Sequence, residues 1–205
     1  MVLYDPSIRK ILFSKLKSLE EFGNDPSTMI INELDVCQGA AIMDVAVING
    51  KFHGFEIKSE RDNLERLNHQ KSIYNLVFDT VTLVVSEKHT SPALNKIPEW
   101  WGIYEISNTT KEAKILRKPH QNNSIKSFHI CQMLWKAEAI ELLNNYGITK
   151  GLKSKTRREL CSIIADNLNI NIIKEYVLTT LKNRINWKAV SLQQLNDEKH
   201  LSSPN

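Results

Sequence analysis

No stretch of the 205-residue chain approaches the apolar length that a membrane-spanning helix needs, so no membrane partner is expected. The opening residues, Met1-Val2-Leu3-Tyr4-Asp5-Pro6, lack a basic segment followed by an apolar one, and no secretory signal is expected. Glycine and proline are scarce, at seven and six residues, which leaves no room for a long flexible linker. Cysteine is scarcer still: Cys37, Cys131 and Cys161 are odd in number, far apart, and form no C-x-x-C pair. A disulfide scaffold is excluded, and reduced thiols in a cytoplasmic protein are expected. No internal repeat is present.

What is there is ordinary for a globular chain, with 41% hydrophobic and 24% charged residues. The net charge of +4 conceals an asymmetry: residues 1–110 carry −4 and residues 111–190 carry +9. An acidic half followed by a basic half suggests carboxylates with a task and a cationic surface that holds a polyanion.

Hydrophobic periodicity predicts a helix over 7–22, where Ile8, Ile11, Leu12, Leu16 and Leu19 recur at three and four. Strands are expected at 28–36, 41–48 and 52–58, with Asn49-Gly50 marking a hairpin between the last two. A helix over 60–77 and a β-branched strand at 80–85 complete an α-β-β-β-α-β order. A loop with Pro92, Pro98, Trp100 and Trp101 follows, then a hairpin of 104–107 with 113–116. The character changes after Pro119–Ser124. Residues 1–120 are read as one α/β core, 125–190 as a basic helical module and 191–205 as a tail. In the module, helices are expected over 127–146 (ending at Gly147), from a Ser154 cap to Leu168, and over 172–185.

The informative stretch is Ile42–Ile48, the turn, then Gly54-Phe55-Glu56-Ile57-Lys58. Glu56 and Lys58, two apart on a strand, share a face. If the turn has two residues, Asp44 pairs with Phe55 and the two acids lie on opposite faces. If it has three, Ile48 pairs with Phe52 and Asp44 lies opposite Glu56. The three-residue register also gathers Met43, Val45, Val47, Phe55 and Ile57 on one apolar face, and it is the expected one. Two facing carboxylates repel unless a proton or cation sits between them. A hard divalent ion, Mg²⁺ or Mn²⁺, suits oxygen ligands, and a lysine beside it can steady charge on a phosphoryl group.

This constellation resembles the PD-(D/E)xK nuclease superfamily, with its restriction-endonuclease-like αβββαβ core. Asp44 matches the aspartate, Glu56 the second acid and Lys58 the lysine, while Met43 stands where the pattern has proline. Gln70-Lys71-Ser72-Ile73-Tyr74 resembles the Q-x-x-x-Y element of RecB-like branches. Residues 28–105, with the run from Glu56 to Leu67 and the segment Pro98–Gly102, are similar to a small, poorly characterised bacterial branch. The resemblance implies a metal-dependent nuclease acting on DNA phosphodiesters. Asp44, Glu56, the carbonyl of Ile57 and an N-terminal acid, Glu33 before Asp35, would hold the metal. Lys58 would be catalytic, Gln70 would position the site, and Tyr74 would contact nucleic acid. Silent nucleic-acid-binding members share the fold. DNA or RNA, endo- or exonucleolytic cutting, and monomer or homodimer all stay open.

Around this site, Ser59 or Asp62 is read as a helix cap, and His69 lacks a partner at metal-ligand spacing. Of Trp100 and Trp101, at least one is expected in the core. The last signal is Lys150-Gly151-Leu152-Lys153-Ser154-Lys155-Thr156-Arg157-Arg158, with five cations in nine residues. Lys150, Lys153, Lys155, Arg157 and Arg158 are the expected nucleic-acid contacts, against the alternative of a solvated loop.

Overall fold

The computed structural model describes residues 4–184 and 187–195. It is a mixed α/β structure built on a seven-stranded sheet. The chain opens with helices α1 (Asp5–Ser18) and α2 (Glu20–Gly23) and strands β1 (Met29–Val36), β2 (Ala41–Ile48) and β3 (Phe52–Lys58). Helix α3 (Leu67–Tyr74), strand β4 (Thr80–Ser86), helix α4 (Glu87–Leu94) and strands β5 (Gly102–Ile106) and β6 (Ala113–Arg117) follow. Four helices, α5 (Ser127–Cys131), α6 (Lys136–Asn145), α7 (Arg157–Asn167) and α8 (Ile170–Asn183), precede a short strand β7 (Ala189–Ser191). The sheet order is β6-β5-β4-β3-β2-β1-β7. Strands β3, β4 and β5 run parallel, and the remaining pairings are antiparallel.

The central strands are covered on both faces, and β3 is buried at every position. One face packs against α1 and α2: Ile8, Leu12, Leu16 and Phe22 meet Val45, Val47, Phe55 and Ile57. On the other, Ala46, Ile48, Phe52, Tyr74 and Trp101 share a core with Leu142, Leu160, Ile173 and Leu181 of the C-terminal helices. The expected boundary near 120–125 is therefore a change of secondary structure within one continuous core. Asp79, fully buried, ties the parts together. It accepts from the Phe52 amide at 2.9 Å and from Gln121 Nε2 at 3.0 Å, and it pairs with Lys174 of α8.

Several expected elements differ in extent. The helix over 7–22 breaks at Leu19, whose backbone is extended. The helix over 60–77 contracts to α3, because Asp62 takes the Ser59 amide and hydroxyl and closes a turn there. Neither residue caps α3, which begins after Arg66. Helix α4 lies in the segment read as a loop and carries Pro92 inside it. The helix over 127–146 is interrupted between Cys131 and Lys136, giving α5 and α6. Gly147 does follow α6 with φ of +79°, the left-handed conformation that ends a helix. Thr156, not Ser154, caps α7 through a reciprocal pair with Glu159. Strand β7 pairs with β1 and reaches the expected tail only at Ser191, after which Leu192 is buried; the tail over 196–205 lies outside the described residues. Among the described residues no helix is long and apolar enough to cross a membrane. Cys37, Cys131 and Cys161 are free and buried.

Candidate functional site

The β2–β3 hairpin adopts the three-residue register, pairing Ile48 with Phe52 and Val45 with Phe55. Gly50 takes φ of +95°, which the tight loop requires. The ladder stops at Val45–Phe55. One residue further on, the Asp44 carboxylate takes over as acceptor: Oδ2 receives the Ile57 amide at 2.7 Å.

Opposite Asp44 on β1, Glu33 holds φ of +52°, an uncommon conformation for a non-glycine residue. Asn32 pairs with Val45 and Leu34 with Met43 on either side of this irregularity. The facing alternates differently across it. Val45 and Val47 pack towards α1, but Met43 packs on the opposite core with Ala46 and Ile48. The expected grouping of Met43 with Val45 is thus corrected: a uniform two-residue period does not survive the kink.

Glu56 lies at the centre of the site and is 1% exposed. Its Oε1 accepts from Lys58 Nζ at 2.7 Å and from Gln70 Nε2 at 2.5 Å. Its Oε2 accepts from the Tyr74 hydroxyl at 2.8 Å. Lys58 also donates to Gln70 Oε1 at 3.2 Å. The spacing of Gln70 and Tyr74 places both on the face of α3 that covers β3. Tyr74 is fully buried and also reaches the Ile42 carbonyl at 2.5 Å. Its expected role as a nucleic-acid contact is therefore corrected: it holds Glu56 and the β2 backbone. Burial, with the Glu56 charge beside it, pushes its phenol up from the ordinary range.

Asp44 keeps an opening to solvent, with its side chain 23% exposed. Burial, and then the neighbouring Glu56 charge, push its carboxyl up to about 7. The Ile57 amide and Arg9 act the other way. Arg9 of α1 donates to the Asp44 carbonyl at 2.6 Å and to Asn32 Oδ1 at 3.1 Å. It lies 3.8 Å from Asp44 Oδ1 and pairs with Asp5. Sequence reasoning missed this residue; its one visible signal is the Asp5–Arg9 spacing of one helical turn.

The structure thus gathers Asp44, Glu56, Lys58, Gln70 and the Ile57 backbone. Glu33 does not complete a ligand set: among the described residues no group of three or more His, Cys, Asp and Glu side chains is arranged to hold a metal. Asp35 instead accepts from the Gly39 amide at 2.6 Å. His69 Nε2 donates to the Ala40 carbonyl at 2.9 Å. Trp101 is fully buried in the core.

In the basic segment, Lys150, Lys153 and Arg158 are exposed. Lys155 pairs with Glu159 at 3.2 Å, and Arg157 donates to the Gln132 carbonyl. Three of the five cations are therefore fully presented, while two also serve the local fold.

The fold and this cluster define a mixed α/β protein with a buried carboxylate–lysine centre opening at Asp44. The family model described as "Bacteriophage P4 protein cII" matches residues 3–204, and the chain belongs to that family. Protein cII of Enterobacteria phage P4 is 35% identical over 157 residues, covering 76% of this chain. The chain spans 59% of that relative's own length. A solved structure, the SPO1766 protein of unknown function from Silicibacter pomeroyi, shares 16% identity with a TM-score of 0.41, covering 58% of this chain and 74% of the other.

Proposed function

We propose that the protein is a metal-dependent nuclease that hydrolyses DNA phosphodiester bonds on a restriction-endonuclease-like core of PD-(D/E)xK type. The observation that carries this reading is that the Asp44 carboxylate accepts from the amide of Ile57, the residue between Glu56 and Lys58 on β3, with Lys58 Nζ 2.7 Å from Glu56 Oε1. A carboxyl held near neutrality by burial and a second acid is a place where a divalent cation can replace a proton. Two carboxylates suit Mg²⁺, which keeps several of its own waters. Asp44 and Glu56 would hold the ion, with the Ile57 carbonyl as a further oxygen. When bound, it supplies an activated water and an electrophile for the phosphoryl group.

The chain's own residues have separable tasks. Lys58 carries positive charge to the site and steadies the transition state. Gln70 and Tyr74 fix Glu56 from the α3 side. Arg9 fixes the β2 backbone at Asp44 from the α1 side. The exposed cations of the 150–158 segment would hold the polyanion. A second reading, a catalytically silent nucleic-acid-binding protein, is favoured by one observation: Glu56 already has three donors, and among the described residues no third carboxylate joins it and Asp44.

The test is cleavage of supercoiled, linear duplex and single-stranded DNA, and of RNA, with Mg²⁺, Mn²⁺ or EDTA. Metal-dependent cutting that Lys58→Ala abolishes is the expected result. Absence of cutting on every substrate, with no calorimetric signal for Mg²⁺, sinks the nuclease in favour of the silent protein.

A further inference from the structure

The C-terminal helices present a second feature that the carboxylate centre does not use. Trp135, immediately before α6, is 49% exposed. An exposed tryptophan is usually mobile, but this one is held from behind. The Arg184 guanidinium lies 4.2 Å from the centre of its ring and 4.5 Å from that of Trp187. Arg184 is itself fixed: it is bidentate to Glu138 at 2.8 and 2.7 Å and donates to the Met133 carbonyl at 2.7 Å. Both members of that pair are largely buried, with side chains 5% and 13% exposed. Glu138 closes the frame by accepting from the Trp135 amide at 2.6 Å.

The basic segment meets the turn that carries this ring. Lys136 follows it directly and reaches the Lys153 carbonyl at 3.0 Å, which brings the basic 150–158 segment against the start of α6. Arg157 binds the Gln132 carbonyl three residues before Trp135. Arg158 lies over the Phe128 ring at 5.4 Å. Lys136, Lys153 and Arg158 are all exposed.

We propose that Trp135 is a stacking platform for an unpaired base, with Lys136, Lys153 and Arg158 holding the adjoining phosphates, so that this module binds single-stranded DNA in preference to duplex. The proposal deepens the nucleic-acid reading above and rests on it for the class of ligand. A base in a duplex has both faces covered, whereas an unpaired base offers one to an aromatic ring. A ring already ordered by Arg184 gives up little further freedom on binding. Lysines alone would attract duplex and single strand alike; the fixed aromatic is what discriminates.

The test is binding without catalysis: fluorescence anisotropy of the full chain with labelled oligo(dT) and with a duplex of equal length, in EDTA. The single strand is expected to bind more tightly, and Trp135→Ala to weaken it about tenfold while leaving the weaker duplex binding little changed. Trp135→Phe should retain most of the affinity, and Lys136→Ala with Lys153→Ala should weaken both ligands and lower the salt dependence. Oligo(dT) should also quench tryptophan emission of the unmodified chain, a readout that does not depend on how any variant folds. Equal or tighter duplex binding, wild-type affinity in Trp135→Ala, or absent quenching overturns the platform. Because no metal is present, loss of cleavage in the earlier assay would leave these outcomes untouched, and intact cleavage would not rescue a platform that fails them.

Discussion

The Asp44 carboxylate receives the Ile57 amide at 2.7 Å, so a side chain of β2 performs the pairing that a backbone carbonyl would otherwise perform. The two strands separate at this residue, and the opening admits solvent to Asp44 while Glu56 stays sealed. One acid is thereby accessible and the other is fixed by its neighbours. The site combines a reachable ligand position with a preorganised one.

The Asp44 carboxyl makes stability depend on pH in a stated direction. In the unfolded chain it ionises near 3.8, whereas in the folded chain it is pushed up to about 7. Between these values the folded state keeps a proton that the unfolded state has released. Stability from this group is complete below about pH 4 and is lost as pH rises towards 7. Asp44→Asn should therefore stabilise the metal-free protein at pH 8, by an amount on the order of 1–3 kcal/mol. Urea unfolding of both proteins at pH 5 and pH 8 checks this; a gain at pH 5 that equals the gain at pH 8 would refute the assignment.

Removing Glu56 should cost more stability than removing Lys58. Without Glu56, the buried Lys58 ammonium keeps Gln70 Oε1 as its acceptor among the described residues, at 3.2 Å. Without Lys58, Glu56 still has Gln70 and Tyr74 as donors. Breaking a buried pair so that a charge is left behind costs about 3–5 kcal/mol, and Glu56→Ala should fall in that range. Lys58→Ala should fall below it and keep a cooperative transition. Chemical denaturation of the two variants orders them, and the reverse order would show that Lys58 is the better-supported member.

Much of this centre was legible in the sequence, and the failures have local physical causes. Asn49-Gly50 and the apolar runs on either side of it specify the hairpin register, because only the three-residue loop puts Val45 and Val47 on the same face of the sheet as Phe55 and Ile57. Gln70 and Tyr74 were placed on one side of α3 by helical spacing alone. Tyr74 nevertheless lies buried against β3 and not at the surface, since spacing does not say whether the shared face meets solvent or the sheet. Met43 departs from the face that alternation gives it beside Val45, and the left-handed Glu33 backbone opposite leaves no mark in a pattern of residue types. Arg9 was invisible because its acceptor, the Asp44 carbonyl, is 35 residues away. Helix α4 was hidden by Pro92, which reads as a breaker.

Tyr74 should prove to be a positioning residue. Its hydroxyl meets both Glu56 Oε2 and the Ile42 carbonyl, and so links α3, β3 and β2 at the site. Tyr74→Phe keeps the ring packed against Phe78 and Trp101 but removes these bonds. A loss of about 1–3 kcal/mol is expected from the donor taken from the buried Glu56 carboxylate. If the nuclease reading holds, cleavage should fall while the affinity for DNA in EDTA does not. A variant that loses DNA affinity in step with cleavage would return Tyr74 to the ligand-binding surface.

Asp79 and Lys174 should make the sheet and the C-terminal helices unfold together. Asp79 is fully buried and holds the start of β3, the Gln121 side chain and α8 through a single carboxylate. The C-terminal helices also share their apolar core with β2, β3 and α3. A segment from 125 to 190 expressed alone would expose that face and lose the acceptor for Lys174, so it should not fold. Asp79→Ala strands Lys174 and the Phe52 amide, and about 3–5 kcal/mol should be lost in one transition. Lys174→Met leaves Asp79 with two donors, keeps an apolar stem, and should cost less. Trp101 sits in the sheet's core and Trp135 before α6, so fluorescence of single-tryptophan variants reports on the two parts separately. Coincident denaturation curves are the expected result. Two separated transitions would mean that the helical module holds its own core, and that the Asp79–Lys174 pair joins two independently stable bodies.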